Sequence, residues 1–317
     1  MAATPSLDAM FGSKAGGTFL GLPACDDLAS LDADIAIVGA PCATPYVSVG
    51  AYCANGPRAI RDGMAAFSAN LAHHDFDAGG PLLPAGVRAV DCGDLGYDEA
   101  RTAENRETIR TAVKTMLDRS AVPILLGGDD SVPIPMLEAY AGHGRFTILQ
   151  IDAHIDWRDS VQGERMGLSS TMRRASEMGH IERIVQVGQR GLGSARPGDV
   201  EDALSWGAKF FSAREVWEHG TEAALDLIEP GTDLIVSFDC DAMDPAVMPG
   251  VIGRAPGGFD YWTMVWLLEG AAARARIAGM TFVEFMPESD IDGMGALTAG
   301  RLVATAMGLI ARQKAGD

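Results

Sequence analysis

The stretch 146-FTILQIDAHIDWRD-159 begins as an apolar run and ends in charge, with Asp152, His154, Asp156 and Asp159 packed into eight residues. An apolar run that is continuous rather than alternating reads as a strand buried on both faces, which is the signature of a parallel sheet. Ligands of open parallel sheets sit beyond the carboxyl ends of the strands. The acidic tail therefore falls where a site is expected. The pattern recurs twice. The run 122-VPILLGGD-129 leads into Asp130 and Ser131, and 233-DLIVSFDCD-241 carries Asp239 and Asp241 and leads to Asp244.

Further short apolar runs occur at 34-DIAIVGAP-41, 88-RAVDCGD-94, 183-RIVQVGQRG-191, 208-AKFFSA-213 and 281-TFVEFMP-287. Stretches of helical character separate several of them, at 99–120, 259–276 and 292–313. Strands alternating with helices predict an α/β fold with helices on both faces of the sheet. No repeat, low-complexity linker or break in composition divides the chain. We therefore expect an N-terminal arm or cover over residues 1–32 and a single domain over 33–317.

With 317 residues, 47% of them hydrophobic, the chain is long enough to bury a large core. Its formal net charge of -18 argues against binding nucleic acid, which needs clustered Lys and Arg. It mildly favours a cationic small molecule. Five cysteines with no C-x-x-C pair suggest a reduced protein of the cytoplasm. No signal peptide or membrane span is expected.

The clusters carry chemistry. If extended, Asp152, His154 and Asp156 share one face, and Ser237, Asp239 and Asp241 repeat the spacing. An isolated D-x-D is ordinarily a solvated turn. Two such clusters, each closing an apolar strand, are better explained by metal, because converging carboxylates repel unless cations neutralise them. Oxygen donors with one imidazole suit Mn²⁺ first and Ni²⁺ next, with Fe²⁺ or Co²⁺ also compatible. So many carboxylates exceed the needs of one ion, and two divalent ions are expected, about 3.5–4 Å apart and sharing a hydroxide.

The ordered motifs G-G-D-x-S, D-A-H-x-D and S-x-D-x-D-x-x-D-P, at 127–131, 152–156 and 237–245, resemble those of the ureohydrolase superfamily of arginases and agmatinases. The segments 55-NGPRAIRDG-63, 91-DCGDLG-96 and 283-VEFMPESD-290 extend the resemblance to the agmatinase-like branch, which includes guanidine- and biguanide-type hydrolases. It covers the chain from about residue 33 onward. The resemblance implies a three-layer αβα sandwich around a central, mainly parallel eight-stranded sheet. It implies attack of a metal-bridging hydroxide on a guanidino or biguanide carbon, releasing urea or a urea analogue. It places Asp152 and Asp239 as bridging ligands, His154 and Asp241 at one metal, and Asp156 at the other, with Glu284 binding the guanidinium. Asp244 would orient the substrate or the ligands. The resemblance also implies a trimer or hexamer, or a hetero-oligomer with a ureohydrolase paralogue.

Two departures stand out. The first family motif ordinarily has a metal-binding histidine after its aspartate, and here that position is Asp130; Asp129 is the structural aspartate. The family histidine expected beyond D-A-H-x-D, which aids proton transfer, is missing, since no histidine lies between His154 and His180. His73, His74, His143 and His219 read as surface or satisfied histidines. The chain is then either a hydrolase with an adapted site or a non-catalytic subunit that supports an intact paralogue. In the adapted site, Asp130 completes the metal set, and Ser169, Ser170, Arg158 or Arg165 could orient substrate. Trp157 either stacks on a cation or lines the wall. Arg158 and Arg165 lean toward guanidino acids. Cys240 is expected in the core. Trp262 and Trp266 are expected to pack on the sheet or on a neighbouring subunit.

Overall fold

The structure, a computed structural model, describes residues 7–13, 17–193 and 195–316. Part of the expected arm, residues 1–6 and 14–16, lies outside the described residues. Ten strands form in chain order: β1 (Ile35–Ala40), β2 (His74–Asp75), β3 (Gly80–Pro81), β4 (Ala89–Asp94), β5 (Val122–Gly127), β6 (Phe146–Ile151), β7 (Ile181–Val187), β8 (Lys209–Phe211), β9 (Asp233–Asp239) and β10 (Arg276–Val283). The helices are α1 (Leu7–Phe11), α2 (Gly56–Met64), α3 (Thr102–Asp118), α4 (Pro133–Ala139), α5 (Thr171–Ser176), α6 (Pro197–Trp206), α7 (Ala213–His219), α8 (Glu222–Leu225), α9 (Tyr261–Arg274) and α10 (Met294–Ala315).

Eight strands make one sheet in the order β4-β1-β5-β10-β9-β6-β7-β8, with every neighbouring pair parallel. β2 and β3 form a separate small hairpin. The chain builds one half of the sheet with β1, β4 and β5 and the other with β6, β7 and β8. β9 and β10 then fill the gap between them. The four central strands β5, β10, β9 and β6 are thereby neighbours, at the place where the direction of winding reverses.

Continuous apolar runs are explained by burial on both faces. In β1, Ile35 and Ile37 join one hydrophobic layer while Ala36, Val38 and Ala40 join the other. In β9, Leu234, Val236 and Phe238 face the first layer and Ile235 the second. The first layer also takes residues of α2, α7, α8, α9 and α10, and the second takes residues of α3, α4, α5 and α6. This is the expected three-layer αβα sandwich. α10 is the one helix among the described residues long and apolar enough to cross a membrane, but 72% of its apolar window is buried inside this fold. It is a core helix. Trp262 and Trp266 are 49% and 56% exposed on α9, so of the two expected packings, on the sheet or on a neighbouring subunit, the first does not occur. That helix turns Met264, Val265, Leu267 and Leu268 inward instead.

The early motif 55–63 proves architectural. Pro57 lies in the first turn of α2, and the buried Arg61 guanidinium binds Asp91 through Nε (2.7 Å) and Nη2 (2.9 Å). Asp91 Oδ2 also accepts from the Phe19 amide at 2.6 Å. One ion pair thus joins α2, the edge strand β4 and the chain that precedes the sheet. A Cβ at Gly128 would lie 2.0 Å from the Pro41 carbonyl oxygen, so the backbone beyond β5 can pass this close to its neighbour only as glycine.

Candidate metal centre

Four adjacent strands deliver acidic side chains to one rim. Asp129 and Asp130 follow β5, Glu284 follows β10, Asp239 ends β9 with Asp241 just beyond, and Asp152, His154 and Asp156 follow β6. All seven carboxylates are at most 7% exposed.

The backbone brings them together by turning, which corrects the extended alternation expected from spacing. Asp152 Oδ1 accepts from the His154 amide at 2.6 Å, Asp239 Oδ1 from the Asp241 amide at 2.7 Å, and Asp129 Oδ1 from the Ser131 amide at 3.1 Å. Past the last sheet hydrogen bond the backbone needs new partners, and an aspartate two residues back supplies one. Ser237 stays within the sheet, 3.3 Å from Thr281 Oγ1. Cys240 points into the first hydrophobic layer, as expected.

Asp156 and Glu284 have φ of 45° and 64°. Left-handed backbone at a non-glycine residue costs about 1–3 kcal/mol and persists only where the surroundings enforce it. Around Glu284 they do. Its amide donates to Gly128 O at 2.8 Å, its Oε1 accepts from the Asp130 amide at 2.9 Å, and the Tyr52 hydroxyl lies 2.7 Å from both carboxylate oxygens. Asp156 is held by Gln150, whose Nε2 donates to Asp156 Oδ2 at 2.6 Å and to Asp152 Oδ2 at 2.7 Å. Gln186 in turn donates to Gln150 Oε1 and to Ile155 O.

Two donor triplets result, Asp152–His154–Asp241 and Asp130–Asp152–Asp239, each with its ligand atoms within 4.8 Å of one another. Asp152 is common to both, whereas Asp239 joins only the second. Asp156 lies outside both triplets, although its charge acts strongly on Asp130. Both Asp130 oxygens are buried with no hydrogen-bond partner, a costly arrangement unless a cation meets them. The donor set is oxygen-rich with one imidazole, which fits hard divalent ions.

The electrostatics agree. Burial, then the charges of Asp156 and Asp152, raise Asp130 well above the usual carboxylate range. Burial and Asp152 raise Asp156 in the same way, and burial and Asp241 raise Asp239. Burial and Asp129 push Glu284 up to about 8. Burial alone would keep the His154 ring neutral, but Asp152 and Asp241 hold its proton and raise it to about 12. Its Nδ1 lies 3.1 Å from Asp241 Oδ2.

Other expected residues separate. Arg158 and Ser169 line the same cleft of about 230 Å³ as Asp130, His154, Asp156 and Glu284. Trp157 borders that cleft but is only 2% exposed, with its ring against Trp206 at 6.0 Å. Arg165 pairs with Asp159 and Glu177 and does not line the cleft. Asp244 also stands away from it. Its Oδ1 accepts from Ala246 N at 2.9 Å and its Oδ2 from Gly257 N at 2.8 Å, so it shapes the loop beyond β9 and faces no donor triplet. Spacing missed Tyr52, Gln150, Gln186 and Arg190. Arg190 binds the carbonyls of Asp241 (2.6 Å) and Met243 (3.1 Å) and fixes the turn after β9. Gln150 and Gln186 did leave a trace, since each interrupts an apolar strand and the two are paired in register between β6 and β7.

Residues 33–308 match the sequence model of the Arginase family. The chain is 28% identical over 293 residues to a guanidinobutyrase of Pseudomonas aeruginosa, covering 90% of this chain and 89% of that one. It is also 28% identical over 288 residues to an agmatinase of Pyrococcus horikoshii, covering 89% and 93%. Among solved structures, a hypothetical agmatinase from Burkholderia thailandensis superimposes with a TM-score of 0.80 at 26% identity, over 95% of this chain and 92% of that one.

Two outcomes are expected. The raised groups bind protons more tightly when folded than when unfolded, so with metal chelated they stabilise the fold at low pH and lose that contribution as pH rises. For Glu284 the loss runs from an unfolded value of about 4.3 up to about 8, and His154 acts in the same direction between about 6.5 and about 12. Thermal melts of chelated protein should therefore fall between about pH 6 and pH 8.5, and Mn²⁺ should remove most of that fall. A melting temperature that rises with pH in the chelated protein would contradict this reading. Gln150→Leu, which removes both donations, should weaken metal binding by about 10- to 100-fold in competition with a chelating dye. Unchanged affinity would show that the amide network is dispensable.

Proposed function

The chain belongs to the arginase family, and on that premise we propose that it hydrolyses a guanidino compound to urea with two divalent ions, Mn²⁺ ahead of Ni²⁺. One observation carries the metal reading: Asp130, standing where the family resemblance places a histidine, has both oxygens buried without a hydrogen-bond partner, and a ligand atom within 4.8 Å of those of Asp152 and Asp239. A carboxylate in that position is a ligand for a hard cation.

Asp152, His154 and Asp241 would hold one ion, and Asp130, Asp152 and Asp239 would hold the other. When bound, the pair supplies Lewis acidity and activates water at neutral pH. The residues of the chain do the rest. Glu284 takes the substrate guanidinium against its planar carboxylate, oriented by Tyr52 and the Asp130 amide. Gln150 donates to Asp156 Oδ2, which leaves Oδ1 as the oxygen able to carry a proton to the leaving amine. This gives Asp156 the proton-transfer task of the absent histidine. Asp244 and Arg190 set the loop and turn after β9. Ser169 and Trp157 complete the wall of the cleft.

The proposal extends to the whole molecule: an arm over residues 1–32, a single domain over 33–317, residence in the cytoplasm, and assembly as a trimer or hexamer. The two missing histidines favour a second reading, a non-catalytic subunit in a hetero-oligomer with an intact ureohydrolase paralogue. Urea release separates the two. The Mn²⁺-loaded chain, assayed alone on agmatine, guanidine, biguanide and ω-guanidino acids, should release urea or its analogue from at least one of them. Asp152→Asn should abolish metal binding at both positions, and Asp130→Ala should weaken one position by about 10- to 100-fold. Full binding of both ions with no product from any compound would support the subunit reading.

A further inference from the structure

The cleft is lined by side chains of opposite charge. Glu284 lies at its buried wall and Arg158 also lines it, with Leu168 and Ile252 supplying apolar surface. Among the described residues the Arg158 guanidinium has no ion pair and no hydrogen-bond partner, and only its backbone amide is engaged, with Ser169 O. Its neighbours differ. Arg165 pairs with Asp159, Arg173 with Asp202 and Arg174 with Asp159. In a chain of net charge -18, an arginine left unpaired within a cleft is available for an anion. Asp199 also borders this cleft, and its Oδ2 caps α6 by accepting from the Arg196 amide at 3.0 Å.

Resting on the guanidino-hydrolase reading above, we propose that Arg158 is a specificity-determining residue that binds the carboxylate of an ω-guanidino acid. The substrate is then a zwitterion. Its guanidinium meets Glu284, its methylene chain lies along Leu168 and Ile252, and its carboxylate meets the Arg158 fork, the geometry in which arginine outperforms a point charge. The same arginine disfavours agmatine, whose terminal ammonium would face a like charge. Discrimination therefore comes from attraction and repulsion together.

Binding and turnover must be read separately. Calorimetric titration of the Mn²⁺-loaded protein with 4-guanidinobutyrate and with agmatine is expected to show the acid binding at least about tenfold tighter. Arg158→Gln should weaken the acid by about 10- to 100-fold, and Arg158→Glu should reverse the preference. In the urea assay the loss in Arg158→Gln should fall on KM far more than on kcat, because the proposed contact is to the substrate carboxylate and not to the reacting carbon. The inference is overturned if agmatine binds as tightly as the acid, if neither binds, or if Arg158→Gln weakens both alike. If the acid binds through Arg158 but no urea appears, the specificity assignment stands and the hydrolase reading fails.

Discussion

Seven carboxylates enclosed at one end of a sheet repel one another, and water cannot screen them there. Asp129, Asp130, Asp152, Asp156, Asp239, Asp241 and Glu284 are all nearly inaccessible, yet His154 is the one basic side chain in the two donor triplets. Much of the rim can be understood as a response to that repulsion. Amides of the turns bind Asp129, Asp152 and Asp239, Gln150 bridges Asp152 and Asp156 with one amide nitrogen, and Tyr52 with the Asp130 amide holds Glu284. Asp130 alone receives nothing at either oxygen. The proposed pair of divalent cations would supply Asp130 with positive charge.

The sheet order places the repulsion where it is useful. Because β9 and β10 enter last, between β5 and β6, residues from far-apart parts of the chain meet across four neighbouring strands. The two hydrophobic layers clamp those strands from both sides. The strain at Asp156 and Glu284 is supported by this frame, which lets short, stiff side chains converge rather than splay into solvent. The Arg61–Asp91 pair fixes the outer edge by tying α2 to β4, far from the chemistry but within the same framework.

The continuous apolar runs made the parallel sheet legible, since burial on both faces leaves no alternation to hide it. The acidic residues were legible as strand-end clusters. Their geometry was not, because spacing suggested an extended face where aspartate-capped turns form. The loop residue Tyr52 carried no periodic signal, and Arg190 acts on backbone carbonyls, which a sequence pattern does not show. Asp244 and Arg165 looked functional by position, yet their charges are engaged by loop amides and by neighbouring acids. Residue type alone cannot reveal whether a charge is already satisfied.

The central claim is that Asp130 is a metal ligand and that the site holds two ions. Anomalous scattering at the manganese edge from crystals of the Mn²⁺-loaded protein tests it most directly. Two peaks are expected in this rim, both coordinated by Asp152, one of them also by an Asp130 oxygen. A single peak, or two peaks with Asp130 turned away from both, would contradict it.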